Sequence, residues 1–121
     1  MFRICKEFHF CASHSLDTLP AGHKCAGLHG HNYIVYLELE SETLDETGFI
    51  IDFHELDAFK AYIDQEFDHK HLNTVMDLPP TTENLAYHFY AWCKARWPQT
   101  SAVRVSETPK TWAEYRPRLA S

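Results

Sequence analysis

Two long stretches of this chain alternate between apolar and polar positions, the mark of half-buried β-strands. Over residues 2–13, Phe2, Ile4, Phe8, Phe10 and Ala12 occupy the even positions, with Arg3, Glu7 and His9 on the odd ones. Lys6 interrupts the even face and is expected to mark a bulge. His14 continues the even, apolar side. Over residues 29–40, Tyr33, Val35, Leu37 and Leu39 share their parity with His29 and His31. Residues 17–27, with Pro20, Gly22 and Gly27, read as the connecting loop.

The pattern then changes period. After a polar turn at 42–48 and the apolar run Phe49-Ile50-Ile51, Asp52 is a predicted N-cap, with Glu55 at the capping-box position. Leu56, Phe59, Ile63 and Phe67 fall near helical spacing, so this helix extends to about residue 67. Residues 68–80 form a connector ending at Pro79-Pro80, and Thr81 or Thr82 caps a second helix. Leu85, Phe89, Cys93 and Trp97 form its apolar stripe, and Pro98 ends it. Two closing strands are expected over 102–108 and 111–116. The order ββααββ predicts one α+β domain over 1–121, a four-stranded antiparallel sheet with two helices on one face.

Composition narrows the class. With 121 residues, 45% of them hydrophobic and 14% aromatic, the chain is expected to fold as a globular domain. No apolar run reaches the roughly 20 residues that span a bilayer, and residues 1–7 lack the features of a signal peptide. A cytoplasmic location without membrane association is therefore expected, with the four cysteines as thiols. The net charge of −6 argues against a nucleic-acid partner.

The nine histidines add the candidate chemistry. His29 and His31 share one strand face, and His14 continues the apolar face of the preceding strand. If the strands pair, three imidazoles meet, a ligand set suited to zinc with a vacant fourth position. A structural finger of Cys11, His14, Cys25 and His29 is the rival, but it sets Cys11 opposite His14 and leaves His31 unused. Cys25 lies in a polar loop beside His23 and Lys24, whose charge favours the thiolate, so a reactive role is preferred to that of a buried thiol. Asp68 beside His69 reads as a second acid–base group, because a carboxylate that holds an imidazole raises its basicity. The alternatives are a simple turn cap, or a second metal pair in His69 and His71. Glu107 continues the face of Val103 and Val105. It sits either at a wet strand end or buried against a partner such as a guanidine-like ring edge.

These residues form a wider pattern: Phe10-x-Ala12-x-His14, His23-Lys24-Cys25, His29-Gly30-His31-Asn32-Tyr33, Asp52-Phe53, Asp68-His69, Pro80-Thr81-Thr82-Glu83-Asn84 and Glu107-Thr108. The chain resembles the 6-pyruvoyltetrahydropterin synthase family along essentially its whole length. The resemblance is closest to the bacterial 6-carboxy-5,6,7,8-tetrahydropterin synthases of queuosine biosynthesis, because Cys25 stands only four residues before His29. Ser106 departs from the lysine of some members. The resemblance implies the tunnelling fold, a homo-oligomer with active sites between subunits, and Zn2+ on His14, His29 and His31. It further implies Cys25 as proton acceptor, Asp68 with His69 as relay, and Glu107 as the group that holds the pterin. The implied reaction is a lyase conversion of 7,8-dihydroneopterin triphosphate, releasing triphosphate and acetaldehyde. A pyruvoyl-type synthase, which eliminates triphosphate without losing carbon, and a non-enzymatic binding module with structural zinc remain as alternatives.

Overall fold

A computed structural model describes residues 1–16 and 29–118, with only the backbone of His29 included. Strands β1 (Phe2–His14) and β2 (His29–Ser41) pair antiparallel without interruption from Phe2↔Ser41 to His14↔His29. Their apolar faces coincide, as the alternation predicts. Phe8, Phe10, Ala12, Tyr33, Val35, Leu37 and Leu39 are all buried. Burying each large apolar side chain is worth about 1.5–3 kcal/mol, and this shared face fixes the register, since a one-residue slip would turn it to solvent.

The predicted bulge at Lys6 does not form. Lys6 keeps its place in the ladder opposite Leu37, and its Nζ donates to Asp57 Oδ1 at 3.2 Å and to the Phe53 carbonyl at 3.4 Å. Its ammonium thus leaves the apolar face for the helical layer above. Bulges occur instead between Glu38 and Leu39 and between Val105 and Thr108.

Asp52 does act as an N-cap, accepting the His54 N–H at 2.9 Å, but the helix it opens is divided. A 3-10 turn, Phe53–Leu56, precedes α1 (Asp57–Glu66). Leu56, Phe59, Ile63 and Phe67 are buried as their spacing requires. Thr81 is the cap of α3 (Thr82–Arg96), its hydroxyl accepting the Asn84 N–H at 3.1 Å. Trp97, extended before Pro98, ends that helix. Strands β4 (Thr100–Thr108) and β5 (Thr111–Tyr115) close the chain.

The connector is more ordered than its composition suggests. It contains a two-residue strand, β3 (Lys70–His71), and a one-turn helix, α2 (Leu72–Val75), which buries Leu72. β3 runs parallel to β1 at Ala12 and Ser13, so the sheet has five strands in the order β3-β1-β2-β4-β5 instead of the four expected. Two bonds cause this docking. The His69 N–H donates to the Cys11 carbonyl at 2.6 Å, and Asp68 Oδ1 accepts the Cys11 N–H at 2.9 Å. His69 adopts a left-handed φ of 58°, which reverses the chain after α1.

The helices and the apolar sheet face share one aromatic core. Phe10 stacks on Tyr33 with ring centroids 4.8 Å apart, and meets Phe67 and Phe89 edge-on at 6.1 and 6.0 Å. This packing closes the base of the site that stands at one end of the sheet.

Candidate metal centre

Three strands deliver polar side chains to that end. His14 closes the buried face of β1 and is itself 3% exposed. On β2, His29 stands across from His14 in the ladder, and His31 across from Ala12. The rings of His14 and His31 lie nearly parallel, 25° between planes and 4.9 Å between centroids. Glu107, near the end of β4, brings Oε2 to 3.8 Å from His31 Nε2. One donor atom from each of His14, His31 and Glu107 lies within 4.8 Å of the others. Two imidazoles and a carboxylate form a nitrogen–oxygen set that fits a divalent metal. The cluster is therefore a possible metal site. The side chain of His29, expected as a third ligand, lies outside the described residues.

Two neighbours shape the cluster. The Tyr33 hydroxyl lies 2.6 Å from His14 Nδ1, and Tyr33 is fully buried. Burial first, and then the charge of Glu107, push the Tyr33 phenol far above its ordinary range. On β4, Ser106 Oγ donates to the Thr111 carbonyl at 2.8 Å and to that of Thr108, across the bulge that carries Glu107. Sequence spacing showed Glu107 on the right face but not its closeness to the histidines. Alternation alone places Tyr33 in the core and says nothing of its hydroxyl. Its parity with His31 and its place opposite Phe10 were the available signals.

Asp68 and His69 lie at the other border of the site. Asp68 Oδ2 is 3.4 Å from His69 Nε2, and the His69 side chain is 80% exposed. Asp68 thus contacts both the β1 backbone and the imidazole. An open cavity of about 610 Å³ is lined by both His31 and His69, together with Cys11, Ser13, Asn32 and His71. The connector and the metal-capable cluster therefore border one space within a single chain. His71 Nδ1 contacts Ser13 Oγ at 3.0 Å. Among the described residues, no second group of three metal-capable side chains forms around His69 and His71.

Cys25, with His23 and Lys24, lies outside the described residues. Cys11 is exposed, its thiol donating to Asn32 Oδ1 at 2.8 Å, whereas His14 is buried on the other face of β1. That separation counts against the four-ligand finger. No described helix is long and apolar enough to cross a membrane.

The family model described as 6-pyruvoyl tetrahydropterin synthase matches residues 3–118. A putative 6-carboxy-5,6,7,8-tetrahydropterin synthase of Archaeoglobus fulgidus is 33% identical, with 88% of this chain and 89% of the relative covered. The 6-carboxy-5,6,7,8-tetrahydropterin synthase of Bacillus subtilis is 32% identical, covering 97% of this chain and 86% of that protein. The solved structure of Caenorhabditis elegans 6-pyruvoyl tetrahydropterin synthase superposes with a TM-score of 0.84 at 24% identity, covering 97% and 96% of the two chains.

Proposed function

The chain belongs to the 6-pyruvoyl tetrahydropterin synthase family, and on that premise we propose that it is a zinc-dependent carbon–carbon lyase. Its substrates are 7,8-dihydroneopterin triphosphate and one water, which supplies the additional carboxylate oxygen, and its products are 6-carboxy-5,6,7,8-tetrahydropterin, acetaldehyde and triphosphate, in the route to queuosine. The observation that carries this reading is the convergence of His14, His31 and Glu107 beside the cavity that His69 also lines. The names of the Bacillus and Archaeoglobus relatives support the carboxy product.

In this proposal His14, His29 and His31 hold the zinc. With His14 Nδ1 engaged by Tyr33, Nε2 is the nitrogen a metal takes. Bound zinc supplies a Lewis acid that polarises the side-chain oxygens of the substrate and lowers the pKa of its hydroxyl. Glu107 accepts ring N–H groups of the pterin and fixes its orientation. Cys25, as thiolate, takes a proton from the substrate's carbon side chain. His69, held by Asp68, exchanges a second proton with that chain.

The protein acts in the cytoplasm as a homo-oligomer whose active sites lie between subunits. Open sheet edges support this, because β1 is covered by β3 only at Ala12 and Ser13 and β5 has a neighbour on one side alone. A fully active monomer in sedimentation at micromolar concentration would exclude it. The reaction is tested by incubating purified protein with 7,8-dihydroneopterin triphosphate. Acetaldehyde and the carboxy product should appear in equal amounts. The pyruvoyl compound without acetaldehyde would overturn the branch assignment, and no turnover with zinc present would overturn the enzymatic reading.

A further inference from the structure

We propose that Tyr33 is a positioning residue that holds His14 in its metal-binding tautomer, an inference that rests on the metal reading above. Neutral imidazole carries one N–H, so a bond at Nδ1 decides what Nε2 can do. If the phenol donated to Nδ1, Nε2 would carry the hydrogen and have no lone pair for a cation. If Nδ1–H donates to the phenol oxygen, the Nε2 lone pair is available.

The surroundings favour the second arrangement. Tyr33 is pinned by its stack on Phe10 and by complete burial, so its hydroxyl stays at one place, 2.6 Å from Nδ1. With Nδ1 held at the phenol, a cation shared with His31 and Glu107 meets His14 at Nε2. A ring nitrogen that binds a cation carries no hydrogen, so the hydrogen of neutral His14 sits on Nδ1 and the phenol oxygen accepts it. The contact between His14 Nδ1 and the Tyr33 oxygen thus runs in one direction. It sets the ligand nitrogen before any metal arrives. Outer partners of this kind orient and tune metal-bound histidines.

Tyr33→Phe keeps the ring and its stack and removes only the oxygen. Zinc affinity, measured by competition with a chromophoric chelator, should fall about 10- to 100-fold. In metal-free wild type, long-range 15N NMR should show His14 protonated at Nδ1, and the variant should show a mixture of tautomers. Unchanged zinc affinity in a folded variant would overturn the proposal. So would an Nε2-protonated His14 in the wild type, a measurement that decides the matter even if the variant does not fold. A wild type that binds no zinc would instead refute the metal reading, and the tautomer measurement would still judge Tyr33.

Discussion

Replacing Glu107 by glutamine separates the two roles that its position allows. Its carboxylate stands 3.8 Å from His31 Nε2, too far for a hydrogen bond but close enough to share a cation. It also stands at the border of an open space, with its side chain 30% exposed. If Glu107 holds the pterin, the ring donates to a charged acceptor, a contact worth about 1.5–3 kcal/mol. Glutamine keeps one acceptor oxygen and retains part of that energy, and solvent at the border screens more. A net loss of about 1–2 kcal/mol corresponds to a roughly 5- to 30-fold rise in KM, with kcat changed less than about threefold. Zinc content should stay near that of the wild type, because the three histidines remain. Steady-state kinetics and elemental analysis on one preparation measure both quantities. Loss of zinc in step with loss of activity, or a fall in kcat equal to that in kcat/KM, would refute the substrate role and make Glu107 a metal ligand.

Elemental analysis should find zinc largely lost from His29→Ala and retained in Cys25→Ala; metal loss in the cysteine variant would revive the structural finger. Cys25→Ala and His69→Ala should each lower kcat about 10²- to 10⁴-fold with little change in substrate binding, since proton transfer is made in the transition state. Single-turnover kinetics would test this, and a change confined to KM would contradict it. Hydrogen bonds from Arg116 and Ser101 outweigh burial and hold Glu38 at about 2, from an ordinary 4.5, where the Arg116 guanidinium contacts both carboxylate oxygens at 2.7 and 2.9 Å. A carboxylate depressed in the folded state stabilises it above its unfolded pKa and loses that effect as pH falls through the folded value. After screening, because Arg116 is 38% exposed, the loss is about 1–2 kcal/mol between pH 5 and 2. Glu38→Gln should flatten the acid limb of a stability–pH curve; an unchanged limb would refute it.

The sheet was legible wherever one residue in two faces a core. Phe8 and Phe10 stand opposite Val35 and Tyr33 on the shared apolar face, and the register that pairs them carries His14 to His29. Helical spacing likewise marks Leu85, Phe89, Cys93 and Trp97, and all four are buried. Periodicity has no purchase on two residues, so β3 was invisible. Its formation depends on Asp68 and His69 bonding to Cys11, 57 residues away for the aspartate. Lys6 misled for a related reason, because its partner Asp57 lies on another element and the backbone had no need to bulge. The site was read from shared faces, which bring residues to one end of a sheet without fixing distances across it. The closeness of Glu107 to His31 and the contact between Tyr33 and His14 are such distances.

Glu107 does not take its place from the ladder alone. It sits in the bulge between Val105 and Thr108, where the β4–β5 pairing skips, and the Ser106 hydroxyl ties this kink to the carbonyls of Thr108 and Thr111. The aim of a half-buried carboxylate is thereby coupled to a hairpin tip, Pro109-Lys110, that lies outside the core. The tip can change length or sequence without disturbing the aromatic interior. The Ser106 bonds make the hairpin tip and the Glu107 backbone one unit, so the tip contributes to where that carboxylate stands beside His31.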